Sequence, residues 1–191
     1  MRKNVEKSTR RPILFASILS GVLLCCPPLT QPSRQKTLRE PLSSSQLVVE
    51  AVTNKFSYNP SESLMLEVTV SNESDTPIFI FGTLSWGPSA SLELFVANVD
   101  TGEQVSPNHW SDAHPRFPAE TDFLKLNPSH FLGTQRTVSL DGLNISKPGH
   151  YRLEVAYHAP FSESYGHGLT IWGKERGTIY SKPIDIRVVA P

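Results

Sequence analysis

Ser146-Lys-Pro-Gly-His-Tyr-Arg-Leu-Glu-Val-Ala-Tyr-His-Ala159 decides how the rest of the chain is read. Tyr151, Leu153, Val155 and Tyr157 are large and apolar at every second position, whereas Arg152, Glu154 and Ala156 between them are charged or small. That two-residue period belongs to a strand with one buried face. Pro148 and Gly149 stand immediately upstream, so a tight turn feeds the strand.

The same period recurs on both sides. Upstream, Leu64, Leu66, Val68 and Val70 alternate with Met65, Glu67, Thr69 and Ser71, and Leu92, Leu94 and Val96 repeat the pattern. Burying the first four would contribute roughly 6 to 10 kcal/mol before entropy. Gln46–Thr53 reads as the first strand, and Phe123–Leu126 and Thr137–Leu140 as short strands flanking the connection Pro128–Gly133. Pro183–Val189, with Ile184, Ile186 and Val188 inward, is the last strand. Ile78-Phe-Ile-Phe81 is apolar on both faces, which places it at the centre of its sheet or under a covering loop. Asn72–Pro77 and Asn98–Glu103 are turns, the second leading into the short partner strand Gln104-Val105. Pro107–Thr121 and Pro160–Lys182 are expected to be irregular loops. No stretch carries a helical period, and the sixteen prolines favour short strands joined by turns. The expected fold is an all-β sandwich of antiparallel strands, seven to nine in number.

The N-terminus is set apart by composition. Residues 1–26 contain Arg2, Lys3, Lys7, Arg10 and Arg11 against Glu6, followed by the uncharged stretch Pro12–Leu24. That stretch is short for a membrane span of about 20 residues and has the build of a signal-peptide core, so the chain is expected to be exported. Residues 27–45 are rich in Pro, Ser and charge without any apolar period, which predicts a disordered tether; residues 46–191 form the domain. Of 18 basic and 18 acidic residues, the segment after residue 26 retains 13 and 17, a formal charge of −4. A mildly acidic body argues against a nucleic-acid partner.

Both cysteines, Cys25 and Cys26, close the signal segment, so Cys-based catalysis, Cys-ligated metal and an internal disulfide are excluded from the domain. Leu23-Leu24-Cys25-Cys26 resembles the lipobox of bacterial lipoproteins, although Leu24 or Cys25 stands where that pattern has Gly, Ala or Ser. The resemblance implies acylation of Cys25 or Cys26 and a lipid anchor to a membrane surface. A cleaved soluble protein and an uncleaved anchor are the other outcomes, so the location is the periplasm, a membrane-anchored lipoprotein or the secreted fraction.

The layout of strands and turns resembles bacterial immunoglobulin-like domains. The aromatic entering a strand after Pro148-Gly149 reads as their tyrosine corner, with the Tyr151 hydroxyl returning to backbone across the loop. More narrowly, Leu66–Ile78, Leu94–Val105, His109-Trp110-Ser111 with Phe117, and Lys147-Pro-Gly-His-Tyr151 resemble the Bacillus-type intracellular proteinase inhibitor family. The likeness covers about Leu64–Tyr157 and rests on turn residues that recur in many secreted sandwiches.

Site chemistry is sparse. His109, Asp112 and His114 share one loop, where five-residue spacing sets no ligand geometry, so no metal is expected there. Gly-x-Ser-x-Gly, His-Glu-x-x-His and a phosphate-cradling Gly-rich loop are all missing from the chain, and no enzymatic activity or cofactor is expected. The favoured binding residues are aromatics in long loops: Trp86, Trp110, Phe161, Tyr165 and Trp172, all expected to be exposed at the ends of the sandwich. The expected function is a non-catalytic accessory or binding module of the bacterial cell envelope that recognises a protein through its end loops. Inhibition of a protease by loop insertion through Trp86 or Trp110, and carbohydrate binding by aromatic stacking, are the alternatives.

Overall fold

A computed structural model describes residues 46–105 and 114–190. The signal segment, the tether, Cys25, Cys26, His109, Trp110 and Asp112 therefore lie outside the described residues. The strands are β1 (Leu47–Thr53), β2 (Ser57–Tyr58), β3 (Ser63–Asn72), β4 (Ile78–Phe81), β5 (Leu92–Asn98) and β6 (Gln104–Val105). They continue with β7 (Phe123–Leu126), β8 (Phe131–Ser139), β9 (Gly149–His158), β10 (Thr178–Tyr180) and β11 (Ile184–Val188). Eight of these, β1, β3, β4, β5, β7, β8, β9 and β11, have four residues or more, within the expected number.

The protein folds as an immunoglobulin-like β-sandwich. One main sheet has the order β1-β3-β8 and the other the order β2-β11-β9-β5-β6, with β10 beside β9; β4 and β7 pair antiparallel as a separate two-stranded sheet. Pairing is antiparallel except between β2 and β11. The alternating residues do what their period requires. Leu64, Leu66, Val68 and Val70 from β3 meet Leu92, Leu94 and Val96 from β5 and Tyr151, Leu153, Val155 and Tyr157 from β9 in one buried core. The strand that anchored the sequence reading is thus central in its sheet, paired with β5 on one side and with β10 and β11 on the other. Its tyrosine corner is present: the Tyr151 hydroxyl donates to the carbonyl of Lys147 at 2.9 Å.

Turn chemistry ties the layers together. Asn72 is fully buried at the end of β3, and its amide nitrogen donates to the carbonyls of Thr76 and Leu126 at 2.8 and 2.9 Å. Its amide oxygen accepts from the Ser74 backbone N–H and hydroxyl at 3.0 and 2.7 Å. One side chain therefore closes the Asn72–Pro77 turn and joins it to the end of β7.

Several expectations change. Phe131, Leu132 and Gly133, read as part of a connection, belong to the nine-residue strand β8. Its residues alternate between exposed and half-buried, and Leu132 and Val138 of the inner face pack against the core, but with Thr134 and Arg136 between them that face lacks the unbroken apolar row of its neighbours. The 160–182 excursion is not wholly irregular, because β10 lies within it and pairs with the end of β9. Between Tyr180↔Ala156 and Ile184↔Leu153, residues 181–183 face only residues 154 and 155, a bulge. There the Ser181 hydroxyl accepts the Val155 N–H at 3.0 Å, replacing a carbonyl of the ladder.

Candidate functional site

The five aromatics singled out for loop recognition do not share a fate. Trp86, Phe161 and Trp172, expected to be exposed, are buried. Trp86 bridges to Leu92 and packs in the main core, where Trp172 joins it. The Trp172 backbone N–H donates to the Phe79 carbonyl at 2.7 Å, and Ile171 bridges to Phe79, which lays the 160–182 loop alongside β4. This is the covering loop that the two-sided apolar strand Ile78–Phe81 calls for, and its large side chains are consumed in covering. Tyr165 alone of the described four stays open, at 39 % exposure.

Beneath Tyr165 runs a chain of rings. Phe123 contacts Phe81 at 6.3 Å between centroids, Phe81 contacts Phe161 edge-on at 5.0 Å, and Phe161 contacts Tyr165 at 6.0 Å. Tyr165 meets Phe117 at 5.9 Å, and Phe117 is 81 % exposed. The first three, with Ile171, form a small second core between β4–β7 and the loop. Ring pairs of this geometry add about 0.5 to 1.5 kcal/mol beyond area burial.

The loop that presents Tyr165 is stitched to itself. Glu175 accepts the Glu163 N–H at 3.0 Å and the Ser162 hydroxyl, and these bonds hold its carboxyl below the usual range. Arg176 donates to Glu163 at 2.6 Å and lies over the Trp172 ring. At Gly173 a Cβ would fall 2.5 Å from the backbone nitrogen of Glu163, so only glycine lets these strands of loop meet. His167 Nε2 sits 3.0 Å from the Pro118 carbonyl, linking this loop to the segment that carries Phe117.

A second feature occupies the outer face of the six-stranded sheet. Phe56, Val99, His150, Asp185, Ile186 and Arg187 line an open groove of about 300 Å³. Phe56 is 75 % exposed on the β1–β2 connection, and the Arg187 N–H donates to its carbonyl at 2.8 Å. Across from it, Val99 follows β5, and its N–H donates to the His150 carbonyl at 2.8 Å. Register places His150 opposite Arg187 and Arg152 opposite Asp185.

The polar groups of the groove are ordered in two pairs. Arg152 holds both oxygens of Asp185, at 2.7 and 3.1 Å, which keeps the Asp185 carboxyl below its usual range. Asp100 accepts the His150 backbone N–H at 3.0 Å and lies 3.3 Å from Nδ1. Arg187 Nε donates to His150 Nε2 at 2.8 Å. A guanidinium can only donate, so Nε2 is the acceptor in this bond and Nδ1 faces Asp100.

Farther along this face Glu154 is only 4 % exposed, although its position between Arg152 and Ala156 predicted an open charged row. It stands opposite Phe95, whose ring contacts Tyr180 at 6.1 Å above this part of the sheet. Burial pushes the Glu154 carboxyl above its ordinary range, and Arg152 only partly opposes this. None of the groove residues was singled out from the sequence. The visible signal was the outward period of Asp185 and Arg187 on the last strand; what joins them to His150 and Phe56 is register.

Among the described residues no group of three or more His, Cys, Asp or Glu side chains is placed to hold a metal ion. Of the three loop residues weighed as ligands, only His114 is described.

No family model and no curated protein matches this chain. Among solved structures it is similar to the CARDB domain of a Pyrococcus furiosus protein, with 14 % identity and a TM-score of 0.38 over 76 % of this chain and 94 % of that one. It is also similar to the sporulation control protein Spo0M of Bacillus subtilis, with 12 % identity and a TM-score of 0.39 over 77 % and 50 %. A third is a β-glucosidase of Erythrobacter marinus, with 11 % identity and a TM-score of 0.37 over 75 % and 15 %. The chain thus spans half of Spo0M and a small part of the glucosidase.

Proposed function

We propose that this chain is a non-catalytic binding module of the bacterial cell envelope, exported on its N-terminal segment, and that it recognises a partner protein through Phe117 and Tyr165. One observation carries the reading: two exposed rings are backed by a buried line of Phe161, Phe81 and Phe123. Rings held from behind lose little freedom on binding, which is why aromatic anchors dominate interface energetics. Recognition stays at the loops, but its anchors differ from most of those expected, because Trp86, Phe161 and Trp172 are buried. The burial of Trp86 also removes it as the side chain that a protease inhibitor would insert.

The test is capture from envelope extracts on the full chain, compared with Phe117→Ala and Tyr165→Ala. A partner retained by the wild type and weakened about 30-fold by either variant, with melting unchanged, supports the reading. Capture that is indifferent to both variants removes it. The same ring pair favours a sugar as the second reading, and a glycan array probed with the same three proteins separates the two. Export and anchoring are tested by labelling cells with a fatty-acid analogue, comparing wild type with Cys25→Ala and Cys26→Ala; label lost in a variant identifies the acylated residue, and no label in the wild type removes the anchor.

A further inference from the structure

We infer that the groove between Phe56 and Val99 is a second binding site, which takes the C-terminal carboxylate of a peptide ending in an apolar residue. It lies on the outer face of a sheet and shares no residue with the Phe117–Tyr165 pair, so the two proposals stand or fall separately.

The charge comes first. Arg116, Arg152 and Arg176 each hold a carboxylate of the chain. Arg187 is anchored differently, with its Nε donating to His150 Nε2. That bond uses one of five N–H groups and leaves the paired Nη edge, the fork that matches a carboxylate, without a partner among the described residues. Neither carboxylate nearby is bonded to it: Asp185 is held through both oxygens by Arg152, and Asp100 is engaged by the backbone and ring of His150. The site therefore offers an open Nη fork on a face where both acids already have hydrogen-bond partners.

The shape narrows the ligand. Phe56 and Val99, 75 % and 45 % exposed, supply the apolar side chains of the groove that Arg187 lines, while Ile186 between Asp185 and Arg187 turns into the core. At about 300 Å³ it is at the small end of ligand sites, suited to one residue rather than a long segment. A C-terminal residue carries its carboxylate and its side chain on one Cα, so both fit there together. An internal Asp or Glu in an extended peptide would point away from an adjacent apolar side chain, because successive side chains alternate. Capture of a terminal carboxylate is an established mode of peptide recognition.

The experiment is an NMR titration of the labelled full chain with N-acetyl-leucine, N-acetyl-leucinamide, acetate and a capped peptide with an internal Asp. N-acetyl-leucine should move the amides of Phe56, Val99, His150 and Arg187 with millimolar affinity, and the other three should bind at least about ten-fold more weakly. Arg187→Gln and Arg187→Lys should both weaken N-acetyl-leucine about ten-fold, the lysine failing because it lacks the fork, and Phe56→Ser should weaken it about three-fold. Equal shifts from the amide, tighter binding of the internal Asp peptide, an unchanged titration in the folded Arg187→Gln variant, or no shift at these residues would each overturn the site.

Discussion

Tyr151 and Tyr157 lie on the same strand and point into the same core, yet removing their hydroxyls should change stability in opposite directions. The Tyr151 hydroxyl donates to the Lys147 carbonyl at 2.9 Å, whereas that of Tyr157 is fully buried with no partner among the described residues. Burial pushes both phenols above their ordinary range, Tyr157 far more so. Phenylalanine preserves the ring packing at each site, so the change isolates one oxygen. For Tyr151→Phe the bond is lost and a carbonyl is stranded, a cost of about 1 to 2 kcal/mol. For Tyr157→Phe an unsatisfied hydroxyl leaves the core, a gain of about 1 kcal/mol. In a domain of this size those figures correspond to a melting temperature lowered by roughly 4 °C and raised by roughly 3 °C. Six residues of strand separate the two by about 20 Å, so the double variant should show the sum. Urea unfolding followed by tryptophan fluorescence reads all four proteins. If Tyr157→Phe destabilises as much as Tyr151→Phe, or if Tyr151→Phe is silent, the hydrogen-bond accounting behind the tyrosine corner is wrong.

Two further outcomes follow from buried or crowded positions. Glu154 has its carboxyl raised by burial, so the fold favours its protonated form: that contribution is full below the unfolded value of about 4.5 and is lost as pH rises through the folded one. Wild-type stability should therefore fall with rising pH just above the ordinary carboxylate range, and Glu154→Gln should flatten that slope and gain about 1 kcal/mol at neutral pH, as read by melting across a pH series. Gly173→Ala would force a Cβ to within 2.5 Å of the Glu163 backbone nitrogen, costing about 2 kcal/mol and loosening the loop that carries Tyr165. Melting together with limited proteolysis of residues 160–177 checks both effects; a variant as stable and resistant as the wild type would show that the loop is not packed as described.

The covering loop shows why aromatic content misled. Trp86, Phe161, Tyr165 and Trp172 look alike in sequence: bulky residues in irregular segments beside Gly, Ser and Pro. Two-sided apolarity in Ile78–Phe81 did announce that something must cover its outer face, and the cover is the Phe161–Trp172 segment. The sequence named the demand and the supply without joining them. Phe117, a more exposed ring than any of those four, has no distinguishing local signal in the sequence.

Strand identity, inward faces and the tyrosine corner were legible because they depend on local rules: side chains alternate along a strand, and Pro-Gly forms a turn before it, whatever lies elsewhere in the chain. The core lists for β3, β5 and β9 were therefore readable from residues a few positions apart. Both candidate sites were settled by contacts between residues far apart in sequence. Phe56, Val99, His150 and Arg187 meet only because β11 lies between β2 and β9 at one register, and a shift of one residue would turn Arg187 into the core. Phe117 reaches Tyr165 only once two loops have folded against β4 and β7. Periodicity is a property of neighbours along the chain, whereas a binding surface is a property of neighbours across it, and only tertiary packing decides those.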